Sequence, residues 1–207
     1  MGDAAKNKSL PVVVVTGFGP FGHHKVNASW EAVKALRDVD TENDLKIKLV
    51  THNLPVEYDY VETEVPKLWK EHNPELVIHV GVSSVASSIT LETQAYKSGY
   101  KQTDNCGRLP VSGCNCLCET ECLQSTLDVP SISTTVTEKD GVPVCISKDA
   151  GRYLCEFSYF SSLSQDKSKA IFIHVPELNK PYTANELAKG IKGVIREMLN
   201  QRKRLKN

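Results

Sequence analysis

Residues 12–18 read VVVVTGF: four consecutive valines and a threonine, then a glycine before an aromatic ring. A β-branched run ending in glycine is expected of a strand buried on both faces, as in a parallel sheet covered by helices. Residues 75–82 (ELVIHVGV) and 170–175 (AIFIHV) have the same character. Between the first two runs, Asn27 makes a good N-cap for a helix over Ala28–Val39, where Trp30, Val33 and Leu36 recur at helical spacing. Leu45–Leu54 alternates through Leu45, Ile47 and Leu49 and reads as a second strand. Glu57–His72 reads as a helix that Pro66 should kink or restart. Strand, helix, strand, helix, strand predicts an α/β fold with a doubly wound, mostly parallel sheet.

Further along, Ile89–Tyr96 reads as one short strand, and 97–128 is polar, cysteine-rich and without a clear period. Asp128 and Pro130 open a short helix over Pro130–Asp140. Val142–Ser147 (strand), Gly151–Leu163 (helix) and Ala170–Val175 (strand) restore the pattern. Thr183 and Glu186 stand at capping-box spacing before a last helix, whose apolar stripe is Leu187, Ile191, Val194, Ile195, Met198 and Leu199. The basic tail Gln201–Asn207 and the polar Met1–Leu10 are expected to fray. With no internal repeat and no linker, residues 1–207 are expected to form one domain.

The composition excludes several classes. The chain has 207 residues, close to one domain at about 150 residues each, and its 25 basic and 25 acidic residues balance to zero. Neutrality argues against a nucleic-acid protein or a surface drawn to anionic lipid. Hydrophobic residues are 40% and charged residues 24%, so the chain is neither fibrous nor disordered. Met1–Leu10 lacks the apolar core of a secretory signal, and Pro11–Val15 is far too short to span a bilayer. Met1-Gly2 begins like a myristoylation motif, but Lys6 stands where that motif needs Ser or Thr. The sequon Asn27-Ala28-Ser29 is idle without secretion. Seven cysteines are an odd number, so one thiol at least is free, and a reducing cytoplasm is the expected location.

In open α/β sheets, sites form where the chain leaves the carboxyl ends of strands. Gly17–Gly22, Gly81–Glu92, Ser147–Cys155 and His174–Pro176 qualify. Gly17, Gly19 and Gly22 match G-x-G-x-x-G, yet Pro20 removes a backbone donor and Phe18 and Phe21 would crowd a pyrophosphate. Two readings remain for that loop: a plain turn with two core rings, or a small apolar pocket that sandwiches a flat, uncharged group. Cys155 falls in or near the first turn of a helix, where unpaired N–H groups and the helix dipole favour a thiolate. It is either a nucleophile or a buried packing cysteine. A nucleophile needs a base, and His79 and His174 both sit near the ends of apolar strands; spacing does not choose between them. Glu92, within an otherwise uncharged stretch, is a candidate orienting acid or a paired structural charge. Cys114, Cys116 and Cys118, with Cys122 and Cys106 nearby, are too tightly spaced for easy zinc chelation and read as reduced thiols in a surface loop.

Three segments together carry a resemblance: TGFGPFG (16–22) with VNASW (26–30), DAGRYLCEF (149–157) and FIHVP (172–176). Over Val12 to about Met198 the chain resembles the pyroglutamyl peptidase I family, also called pyrrolidone-carboxylate peptidase. The resemblance implies a compact three-layer α/β/α sandwich and a cysteine omega-peptidase that removes an N-terminal pyroglutamyl residue from peptides. Carried onto this sequence, the nucleophile is Cys155, the base His174 and the orienting acid Glu92. The aromatic walls of the substrate pocket fall on Phe18 and Phe21, and Asn27 belongs to the same region. The implied chemistry uses no metal or cofactor, and pyroglutamyl peptides are the expected partners.

Departures from the family pattern lie after Glu92. A basic residue and then an asparagine are usual there, whereas Thr93, Gln94, Ala95, Tyr96 and Lys97 follow here, with Lys101 shortly before Asp104-Asn105. The cysteine cluster is likewise peculiar to this chain. The alternatives to a peptidase are a weakened relative that binds blocked N-termini and a redox or metal-responsive protein built on the cysteine loop. The joint presence of Glu92, Cys155 and His174 disfavours the first.

Overall fold

The computed structural model describes residues 9–22 and 25–206. Most of the expected fraying at Met1–Leu10, and the Met1-Gly2 motif, therefore lie outside the described residues. Val12–Phe18 forms β1, Lys48–Leu54 β2, Leu76–Val82 β3, Ile89–Glu92 β4, Val144–Ser147 β7 and Ala170–Val175 β8. They build one sheet in the order β2-β1-β3-β8-β4-β7. β2, β1, β3 and β8 are parallel; β4 pairs antiparallel to β8, and β7 runs parallel to β4. From β1 the chain winds first to β2 on one side, then to β3 on the other. That reversal opens a crevice beside the carboxyl ends of β1 and β3.

Alternation along the strands divides the core in two. Val13, Val15, Ile78, Val80, Ile171 and Ile173 pack toward helices α1 (Ala28–Ala35), α4 (Val129–Asp140) and α6 (Ala184–Lys206). Phe18, Ala170 and Phe172 pack toward α3 (Tyr58–His72) and α5 (Leu154–Gln165). Helices on both faces of a mostly parallel sheet make the three layers. No helix among the described residues is long and apolar enough to cross a membrane.

Local chemistry explains where the elements begin and end. Asn27 caps α1 through its bond from the Ser29 N–H (3.0 Å), so the sequon asparagine is buried and committed to structure. The α1 helix stops at Ala35 rather than Val39, because bonds such as Leu36 N to Val33 O tighten its end. A short α2 (Thr41–Leu45) follows, bounded by Asp40 and Lys46 at positive φ. Leu45 therefore belongs to a helix, and the second strand starts at Lys48. Pro66 does not interrupt α3. Gly151 and Arg152 adopt φ of 93° and 45°, which delays α5 to Leu154. The capping box forms as spaced: Thr183 N donates to Glu186 Oε2 (2.8 Å), and Glu186 N to Thr183 Oγ1 (3.3 Å). The α6 helix extends to Lys206. Arg202 bonds Glu75 and Ser168 and ties the last turns of α6 to the body.

Ile89–Tyr96 is not one strand. The chain leaves the large sheet after Glu92, and β5 (Gln94–Tyr96) pairs instead with β6 (Cys122–Gln124). The rest of 97–128 is irregular apart from a 3-10 turn at Val111–Gly113. Its asparagine Asn115 is buried and donates to Phe157 O and Ser161 Oγ, stapling the segment to α5.

Gly17 is required by packing, not by a phosphate. A Cβ there would stand 2.8 Å from the Trp30 Cα, since α1 lies directly on the strand. The strand histidine His79 is also structural. Its ring nitrogens meet Thr16 Oγ1 (2.7 Å) and Ser162 Oγ (2.6 Å), and Trp69 Nε1 donates to the same Ser162 oxygen (2.9 Å). Burial holds its pKa down at about 3, against an unperturbed 6.5. The folded state keeps His79 neutral while the unfolded chain protonates it, so its contribution is complete above pH 6.5 and is lost as pH falls toward 3. Thermal midpoints measured from pH 7 to pH 4 should fall more steeply for the parent than for His79→Gln. Parallel curves would show that His79 does not set the acid sensitivity.

Candidate active site

Three side chains from separate parts of the chain, those of Glu92, Cys155 and His174, meet at the crevice. His174 is the penultimate residue of β8, and Gly81 lies directly opposite it in β3. Because β4 runs against β8, Thr90 pairs with His174 while Glu92 pairs with Phe172, two residues deeper in the sheet. The Glu92 carboxylate therefore approaches His174 from beneath, with its Oε1 2.8 Å from Nδ1. Its side chain is 2% exposed and that of the histidine 12%. Cys155 is the second residue of α5, and its sulfur is close enough to the His174 ring to raise the ring's affinity for a proton. Sulfur, imidazole and carboxylate thus share one site. Burial alone would depress the His174 pKa, but its bonds and charge interactions with Cys155 and Glu92 prevail and raise it to about 10. The other candidate, His79, stays in the core and takes no part.

Space for the sulfur comes from a missing side chain. A Cβ on Gly81 would lie 2.7 Å from Cys155 Sγ and 2.7 Å from Phe172 Cζ. Phe172 in turn packs beside the His174 ring, with centroids 4.8 Å apart. Cys155 also benefits from its helix end. Tyr153, the N-cap residue, offers no side-chain cap, so the first-turn N–H groups are left without a capping side chain. Their partial positive charge suits a negative charge that develops beside them.

A pocket opens beside the sulfur. Phe18, Phe21 and Asn27 line one part of it, and Val56, Val82, Tyr153 and Leu154 the rest, with Cys155 at its edge. None of these side chains carries a formal charge, so the pocket suits a flat, neutral group. Asn27 reaches this wall with its polar atoms already engaged: Nδ2 donates to Gly19 O (2.9 Å), and Oδ1 accepts from the Ser29 N–H and hydroxyl. It thereby holds the glycine loop that carries Phe18 and Phe21. The two readings of that loop meet: Phe18 belongs to the core with Phe21 packed against it, and both rings also line the pocket.

Sequence reasoning missed Tyr153, Val56, Val82 and Leu154. Tyr153 had a signal, standing two residues before Cys155 in the same turn; isolated valines had none. The loop after Tyr100 closes over this region. Asp104 accepts from the backbone N–H groups of Tyr58, Cys106 and Arg108 at 2.9–3.0 Å. Burial alone would raise its carboxyl pKa, but those three donors hold it below the ordinary value. Asn105 Nδ2 donates to Pro20 O (2.9 Å) and Tyr153 Oη to Thr103 O (3.1 Å), which fastens the loop to the pocket rim. Lys101 is exposed and does not line the pocket. All seven cysteines carry free thiols, and no group of three or more His, Cys, Asp or Glu among the described residues is arranged to hold a metal ion.

The chain is similar to known proteins over most of its length. The family model described as pyroglutamyl peptidase matches residues 11–199. The chain is 45% identical to pyroglutamyl-peptidase 1 of Mus musculus over 188 residues, covering 90% of this chain and 89% of that one. Identity to pyroglutamyl-peptidase 1 of Homo sapiens is also 45%, over 91% and 90% of the two chains. Among solved structures, the pyrrolidone carboxyl peptidase from Thermococcus litoralis superposes with a TM-score of 0.81 at 26% identity, covering 94% of this chain and 96% of the other. A shared fold, a match over most of the length and an open, uncharged pocket beside a cysteine lead to one assignment: the chain belongs to the pyroglutamyl peptidase family.

Proposed function

We propose that this protein is a cysteine omega-peptidase that hydrolyses the bond after an N-terminal pyroglutamyl residue, working as a single domain. The observation that carries this is the grouping of Cys155 with the hydrogen-bonded Glu92–His174 pair beside an uncharged aromatic pocket. Pyroglutamate is a five-membered lactam, flat and without a free amine. A pocket for an ordinary N-terminus would need a carboxylate to meet the ammonium, and none lines this one. The seven free thiols fit a reducing compartment, and a cytoplasmic location follows from that chemistry.

In the proposed reaction, the Cys155 thiolate attacks the carbonyl carbon that joins pyroglutamate to the next residue. First-turn N–H groups of α5 stabilise the oxyanion. His174 carries the proton taken from the thiol and gives it to the departing amine as the C–N bond breaks. A thioester remains. His174, now neutral, accepts a proton from water, whose oxygen attacks the thioester; free pyroglutamate leaves and the sulfur is restored. Glu92 holds the ring and stabilises the imidazolium throughout.

Three expectations follow from these roles. Cys155→Ser and His174→Ala should each lower turnover of pyroglutamyl-aminomethylcoumarin by on the order of a hundredfold or more, and iodoacetamide should silence the parent. Parent-like rates in either variant overturn the assignment.

The second concerns pH. The imidazolium is the working form in the resting enzyme, and the His174 pKa is raised to about 10, so kcat/KM should decline on the alkaline side as that proton is lost. The linked stability term has the same sign: it is complete below the unperturbed pKa of 6.5 and disappears as pH rises through about 10. Glu92→Gln removes a charge that favours the imidazolium and should move the alkaline limb to lower pH; an unmoved limb would remove Glu92 from the mechanism.

Third, Gly81→Ala must displace the sulfur, since the added carbon would lie 2.7 Å from it. A misplacement of about 1 Å can cost on the order of a hundredfold in rate. Steady-state kinetics should show the loss mainly in kcat, and a Gly81→Ala enzyme with parent kcat would contradict the packing.

A further inference from the structure

The turn that delivers Cys155 is held by a carboxylate outside the reaction. Glu156, the next residue, is fully buried. It accepts from the Arg152 backbone N–H (3.1 Å) and from the Arg152 guanidinium through both oxygens (2.8 Å each). The Arg152 guanidinium carbon stands 4.1 Å from the Tyr96 ring centroid, so its positive charge is packed in place and offsets the carboxylate beside the sulfur. Three residues on, along the same helix face, Tyr159 Oη donates to the backbone carbonyl of Glu92 (2.9 Å) inside the core.

Both contacts fall on one short segment, residues 92–96. There the chain leaves the large sheet: β4 ends at Glu92, and β5 pairs only with β6. Thr93 N still donates to Ser147 O (2.9 Å), but beyond that bond the ladder of the large sheet no longer fixes the segment. The helix that carries the sulfur meets the segment at its first residue through Tyr159, and at its last through the Arg152 side chain that Glu156 holds; the first is the acid that orients His174. Neither Glu156 nor Tyr159 lines the pocket. We propose that Glu156 and Tyr159 are positioning residues, which set the Glu92 carboxylate, and through it the His174 ring, in register with Cys155. This rests on the roles assigned above to Cys155, His174 and Glu92. Such constellations need placement to within about 0.5 Å, and a shared helix is a direct way to supply it.

The test uses the full-length chain and pyroglutamyl-aminomethylcoumarin. Tyr159→Phe deletes one hydroxyl, and Glu156→Gln removes the charge while keeping the shape. Each should lower kcat about tenfold with KM within about twofold, and each should shift the alkaline limb of kcat/KM to lower pH as His174 loses support from Glu92. A purely structural role would lower the thermal midpoint and leave kcat and the limb unchanged. That result in both variants, confirmed folded by circular dichroism, overturns the inference. Both substitutions conserve side-chain volume; should one chain not fold, the other decides on the same readouts. Glu92→Gln run in parallel separates the two levels. Parent-like behaviour there overturns the roles themselves, whereas an impaired Glu92→Gln beside unaffected Tyr159→Phe and Glu156→Gln overturns only the positioning.

Discussion

The 2.8 Å contact between the Glu92 carboxylate and the His174 ring is the constraint around which the rest is arranged. A carboxylate almost wholly removed from water is costly unless it is paired. Here the partner is an imidazole that itself needs a negative group to hold its proton. Each group is the reason the other is tolerated in the interior. The reversed direction of β4 makes the pairing possible, because it sinks Glu92 two residues below the histidine instead of beside it. A β4 running parallel to β8 would carry the acid toward the sheet rim instead.

The sulfur enters this arrangement from the opposite side, on a helix end. Its place depends on two features that pull together: a strand glycine without a side chain, and a turn held at positive φ by the pairing of Arg152 with the buried Glu156. The pair also attaches the nucleophile's helix to β5, and through β5 to the cysteine-rich segment that follows. That segment has few apolar residues of its own and gains order from staples such as Asn115 on α5. The aromatic pocket is assembled the same way. Asn27 caps a helix with one end and secures the glycine loop with the other, so the rings of Phe18 and Phe21 stand on a backbone that cannot swing freely.

Buried strands such as VVVVTGF and AIFIHV were legible because a strand covered on both faces must be apolar almost throughout. The capping box at Thr183 and Glu186 was legible because it is local. Boundaries were less so: α1 and α2 divide where backbone bonds tighten, and Leu45, which alternates like a strand residue, turns out helical. At the site, the motif around Cys155 and the two phenylalanines could be read from residue type and spacing. Val56 and Val82 could not, since an apolar residue facing a pocket looks like one facing the core.

The sequence by itself determined the layered α/β architecture, the helix-end setting of Cys155 and the uncharged character of the loop beside it. These follow from periodicity and from chemistry between near neighbours. Residue type and spacing did not separate His79 from His174; the family resemblance pointed to His174, and only the tertiary structure supplies the physical reason. Both occupy apolar strands near a glycine or proline, and what distinguishes them is what lies across the fold: two hydroxyls for one, a carboxylate and a thiol for the other. Those partners are remote in sequence, and strand order and direction bring them within reach. A proton's affinity for a ring depends on what surrounds it in space, which no local pattern of residues records.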